Sequence, residues 1–148
     1  MSSYLTIYLR PKQEGEAAEK KEPMAVMAYS RSSSIYSTMN EELSIAYAGN
    51  NVSSFTEITR SDICSVIRYL DSEIETAESH IESLRKSLKD ATSTSATSEI
   101  LDRIDTLEEY VLAERSTLND IRVIQGLVEA VDDNKYWADF DAVLANVD

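Results

Sequence analysis

Residues 63–88 read ICSVIRYLDSEIETAESHIESLRKSL, and residues 100–125 read ILDRIDTLEEYVLAERSTLNDIRVIQ. In the first stretch apolar or small residues fall at Ile63, Ile67, Leu70, Ile74, Ala77, Ile81, Leu84 and Leu88, with gaps of four and three alternating without a break. The second keeps the same comb at Ile100, Ile104, Leu107, Val111, Glu114, Leu118, Ile121 and Gln125. This is the 3.5-residue repeat of helices that wind around a partner. The two combs match in reverse order: Leu88 with Ile100, Leu84 with Ile104, Ile81 with Leu107, and so on to Ile63 with Gln125, each pair totalling 188. The expected structure is an antiparallel α-helical hairpin, a coiled coil whose arms of about 30 residues run ~45 Å at 1.5 Å per residue.

Two polar residues interrupt the seam. Glu114 faces Ile74 and Gln125 faces Ile63. Glu114 is read as a device that fixes alignment at some cost in stability, and Gln125 as a change at the end of the coil. Beyond Ile121 the apolar stripe moves to Ile124, Leu127 and Val131, so that end of the helix is expected to turn towards the N-terminal elements. Asp132, Asp133 and Asn134 end the helix. Between the arms, A-T-S-T-S-A-T-S (91–98) is β-branched and hydroxyl-rich, which disfavours helix and predicts a connector.

The N-terminal part reads differently. In S-Y-L-T-I-Y-L (3–9), Tyr4, Thr6 and Tyr8 alternate with Leu5, Ile7 and Leu9, which is strand patterning closed by Pro11. Lys12 to Glu22 is a charged, Gly15-containing loop, after which M-A-V-M-A-Y (24–29) fits a second strand and completes a hairpin. Ile35, Met39, Leu43 and Ala46 recur at helical spacing, predicting a short helix over 34–47 stopped by Gly49, Asn50 and Asn51. Phe55 to Ile58 suggests a short extended segment, and Thr59 with Asp62 resembles a capping pair ahead of the first long helix. Tyr136, Trp137, Phe140, Val143, Leu144 and Val147 are expected to form an aromatic tail over 132–148 that caps the core. The fold class is therefore α+β: one domain over 1–148, with a small antiparallel sheet and short helix (1–58) packed on the α-hairpin (59–131) and followed by the tail.

Composition narrows the function. The chain has 148 residues, 27 acids against 14 bases, and a formal net charge of −13. Residues 1–60 carry a net −1, residues 61–90 a net −3 and residues 91–148 a net −9. That field opposes direct contact with nucleic-acid phosphates and anionic lipid. No apolar run approaches the ~20 residues of a membrane span, and Met1 to Arg10 lacks the features of a signal peptide. Cys64, the single cysteine, cannot form an internal disulfide and is read as a small, partly buried residue. His80, the single histidine, belongs on a helix flank, which leaves no His-rich metal cluster or catalytic triad. Gly15, Gly49 and Gly126 are too scattered to cradle a phosphate. The expectation is a protein without enzymatic activity, cofactor or metal.

The best candidate for a ligand site is Y-S-R-S-S-S-I-Y (29–36). Arg31, Ser32, Ser33, Ser34 and Tyr36 gather one guanidinium, several hydroxyls and a tyrosine at a helix N-terminus, where backbone amides favour an anion. A phosphate, a nucleotide or a partner carboxylate suits that set. The bland alternative is a capped turn whose Arg pairs with a nearby acid.

The opening S-S-Y-L-T-I-Y-L-R-P-K (2–12), the segment Y-S-R-S-S-S-I-Y (29–36) and A-Y-A-G-N (46–50) resemble an uncharacterised group of small bacteriophage proteins. That resemblance, with the absence of catalytic motifs, implies a phage protein that acts through protein contacts: a self-associating virion or assembly component, in the host cytoplasm or the virion. Val66, Leu101 and Leu112 are expected to be exposed on the hairpin and to mark such contacts. The alternatives are a host-defence antagonist that sequesters a nucleotide through Arg31 or masks a host protein, and an acidic DNA mimic.

Overall fold

The computed structural model describes residues 3–12, 22–45, 47, 54–133 and 138–148. The expectations placed on Gly15, Ala46, Gly49, Asn50, Asn51, Asn134, Tyr136 and Trp137 lie outside them. In order, the elements are β1 (Tyr4–Pro11), β2 (Met24–Ser30), α1 (Ser34–Leu43), β3 (Thr56–Ile58), α2 (Arg60–Asp90), α3 (Thr94–Asp132) and β4 (Phe140–Val147). The fold is α+β, with a four-stranded antiparallel sheet and two long helices packed against each other. The chain divides into two compact units, Met1–Val66 with Asp120–Asp148, and Ile67–Asn119. Both long helices contribute residues to both.

In the first unit the sheet order is β2-β1-β4-β3. β1 alternates as its sequence requires: Leu5, Ile7 and Leu9 are buried, whereas Tyr4, Thr6 and Tyr8 are not. Their register partners on β4 are Val147, Ala145 and Val143, all buried, and β3 adds Ile58 opposite Val143. The second strand of the hairpin pairs with β1 from Tyr4↔Ser30 to Leu9↔Met24, with a bulge after Ile7.

The expected C-terminal tail is not a tail. Residues 140–147 form β4, which lies inside the sheet between β1 and β3. Its sequence FDAVLANV hides this because residues 142–147 are buried on both faces, so no polar alternation survives. Asn146, only 1% exposed, is carried there opposite Thr6.

The helical part of this unit's core comes from Ile35 and Met39 of α1, Ile63 and Val66 of α2, and Ile121, Ile124, Leu127, Val128 and Val131 of α3. The shift of stripe after Ile121 is thus as expected. Val66 corrects the expectation of an exposed contact residue: it is fully buried. The first turns of α2 bury a wider sector than the comb alone, just as the last turns of α3 do. Helix α1 is shorter than 34–47. It stops at Leu43, where Ser44 takes a left-handed conformation (φ 49°, ψ 50°), and Ile45 then turns inward.

Helix α2 begins with a reciprocal cap. The Asp62 amide donates to Thr59 Oγ1 at 3.2 Å, while the Thr59 amide and hydroxyl donate to Asp62 Oδ2 at 3.0 and 2.9 Å. Asp62 does what Glu usually does in this motif. Arg60 then ties the two helix ends together, donating to Asp132 Oδ2 at 2.9 Å, to Asp133 and to the Glu129 carbonyl. A cation at the last carbonyls of α3 opposes the negative end of that helix.

The second unit holds six of the layers, from Leu70/Leu118 to Leu88/Ile100. Leu70, Ile74, Ala77, Ile81, Ile104, Val111 and Leu118 are buried, and Leu84, Leu88, Ile100, Leu107 and Glu114 are half-buried. Cross-helix bonds fix the same alignment: Arg85 to Glu108 at 2.6 Å and Arg115 to Glu78 on one flank, Tyr110 Oη to Glu73 Oε2 at 2.7 Å on the other. The connector is shorter than 91–98. Helix α3 already starts at Thr94, because Ser93 caps it by accepting the Ala96 amide at 3.1 Å and Thr97 folds its hydroxyl back to the Ser93 carbonyl.

Candidate functional site

The Arg31 segment forms the turn between β2 and α1. Arg31, Ser32 and Ser34 are exposed; Ser33 and Tyr36 are half-buried. Ser33 is the N-cap residue, extended at φ −79° and ψ 144°, but its hydroxyl does not cap the helix. It donates to the Ser30 carbonyl at 2.6 Å, which the Ser33 amide also reaches at 3.0 Å. Ser30 and Ser32 join their hydroxyls at 2.8 Å, and the Arg31 amide donates to the Ser3 carbonyl at 3.0 Å. The hydroxyls counted on for an anion are therefore largely engaged in shaping the turn itself. Burial, and then the charge of Asp120, push the Tyr29 phenol up. The five residues lie in and just after a turn that is closed by bonds among Ser30, Ser32 and Ser33.

The hairpin of the second unit carries more chemistry. On one flank Tyr110 donates to Glu73, and Glu114 sits at the neighbouring seam position opposite Ile74. Burial, and then the negative charge of Glu73, hold the Glu114 carboxyl above its ordinary range. Tyr110 is pushed up in turn by burial, by its bond to Glu73 and by the charge of Glu114. Glu114 and Tyr110 both hold their protons more tightly here. Among the described residues there is no group of three or more His, Cys, Asp or Glu side chains able to hold a metal ion.

The opposite flank opens into a cleft of about 610 Å³ lined by Glu78, Ile81, Glu82, Arg85, Glu108, Val111 and Leu112. Its floor is apolar and its rim is charged, with Arg85 paired to Glu108, Arg115 to Glu78 and Lys86 to Glu82. Leu112 is 68% exposed at its edge, and Leu101, on the same face of α3 three turns earlier, is 44% exposed. Both leucines are as exposed as their place in the sequence implies. His80 is exposed and borders a second, smaller cleft with Leu107 and Arg103. Cys64 is exposed, not partly buried, because it points away from the core between Ile63 and Val66. The two clefts were not legible before the register was known, since each is lined from both helices.

No described helix is long and apolar enough to cross a membrane. Comparison with protein families, with curated proteins and with solved structures gives no match to this chain.

Proposed function

We propose that this is a non-enzymatic phage protein that works through protein contacts, as a virion or assembly component. The observation that supports this reading most is the open seam of the hairpin. In its last three layers Leu84, Leu88, Ile100 and Leu107 are only half-buried, beside the buried Ile81 and Ile104, and Leu112 projects next to them. Two helices alone cover only one side of each other, and an apolar seam left accessible is characteristic of a surface that takes a partner. The phage attribution rests on the resemblance of the 2–12, 29–36 and 46–50 segments. Density-gradient purification of particles from a phage encoding this chain, followed by immunoblotting, tests the role. Cosedimentation at a fixed copy number is expected; a chain found only in the soluble fraction contradicts it.

A further inference from the structure

The flank that carries Leu112 is unlike the chain around it in charge. In a protein of net charge −13, the six charged side chains around the cleft, Glu78, Glu82, Glu108, Arg85, Lys86 and Arg115, balance to zero and are paired with one another, with Glu75 and Asp105 one heptad farther along. Their order carries further meaning. Along α2 the acids Glu78 and Glu82 come first and the bases Arg85 and Lys86 follow. Along α3 Glu108 precedes Leu112 and Arg115 follows it. The Arg85–Glu108 and Arg115–Glu78 ion pairs hold these two patterns at the same level of the hairpin.

A two-fold axis through the middle of such a patch lays acid on base. Glu78 of one copy comes opposite Arg85 of the second and Glu108 opposite Arg115, while Glu82, close to the axis, keeps its own partner Lys86. Self-complementarity about a two-fold is the requirement of an isologous dimer. The centre of the patch is apolar, formed by Ile81 and Val111 at the cleft floor with Leu112 standing 68% exposed beside it. The other charged side chains of residues 67–119, nine acids against three bases, drive two copies apart, so within the hairpin this flank meets the least repulsion.

We propose that this flank is a homodimer interface, with Leu112 of each copy entering the Ile81–Val111 cleft of the other. The inference rests on the protein-contact reading above and names its partner, a second copy of this chain. Exposed ion pairs add little affinity but select the pairing, whereas the buried leucines supply most of the binding.

Sedimentation equilibrium of the full chain, from low micromolar to submillimolar concentration, tests it. The wild type is expected to dimerise, and added salt should strengthen the dimer by screening the net negative charge. Leu112→Asp should weaken dimerisation by about tenfold or more, equivalent to ~1.4 kcal/mol, with Leu112→Ala weakening it in the same direction. Thermal unfolding of dilute samples should be unchanged. His80→Asp, at an exposed position one heptad beyond Glu73 on the opposite flank, should dimerise like the wild type. A wild type that stays monomeric throughout, or a Leu112→Asp dimer as tight as the wild type, overturns the proposal. So does a monomer whose cleft instead binds a basic amphipathic peptide. A monomer that still cosediments with phage particles sinks the dimer and leaves the functional reading standing.

Discussion

Glu114 occupies a seam position opposite Ile74, where a heptad calls for an aliphatic side chain. Its neighbours offer no compensation: Glu73 repels it, and the Tyr110 hydroxyl is already given to Glu73. Replacing it should therefore stabilise the hairpin. Glu114→Leu is expected to gain ~1 kcal/mol from half-burial of the new side chain, raising Tm by ~3 °C in a chain of this size. Glu114→Gln should gain less at neutral pH and lose its advantage in acid. The sign follows from linkage. The folded-state pKa is raised, so the penalty is fully present above it and fades as pH falls through it towards the unfolded value. Tm of both variants against wild type at neutral and acid pH checks this; a variant less stable than wild type at neutral pH would mean that Glu114 has a favourable partner. The anomaly itself was visible in the comb, but its surroundings were not, because Glu73 comes from the other helix and Tyr110, one turn earlier on α3, gives its hydroxyl to Glu73.

At the scale of elements, the caps were legible and the central strand was not. Thr59 and Asp62 bond reciprocally as their spacing suggests, so Thr59→Ala is expected to cost ~1 kcal/mol, read as a lowered urea midpoint with unchanged slope; an unaltered midpoint would remove the cap from the account. Ser93 was hidden inside a hydroxyl-rich run in which any of several residues could have opened α3. β4 was missed for a different reason. A strand buried on both faces has no alternation to detect, and its partners Leu5 to Pro11 lie at the other end of the chain. Its burial makes a strong prediction: Ala145, fully buried between Ile7 and Thr56, should not tolerate a charge. Ala145→Asp is expected to cost at least ~3 kcal/mol and to abolish cooperative unfolding of the sheet, followed by circular dichroism. Retention of the wild-type transition would contradict the central placement of β4.

At the scale of the molecule, the seam made the hairpin readable across six layers, because periodicity encodes both the helices and their register. It did not reveal Val66, whose burial belongs to the sheet-bearing unit, nor the balanced flank around Leu112, whose charges come together only across two helices. The Arg31 turn was legible as a turn, while its chemistry depended on which hydroxyls bond one another. The account as a whole depends on α2 and α3 folding back on each other within one chain. Pulsed electron paramagnetic resonance on the Cys64→Ser chain, with nitroxides at Glu82 and Thr106, measures this directly. The hairpin predicts a separation of about 20 Å from adjacent helix axes and label arms that persists when labelled chain is diluted into excess unlabelled chain. A separation near the ~36 Å of 24 residues in a continuous rod, or complete loss of the short distance on that dilution, would contradict it.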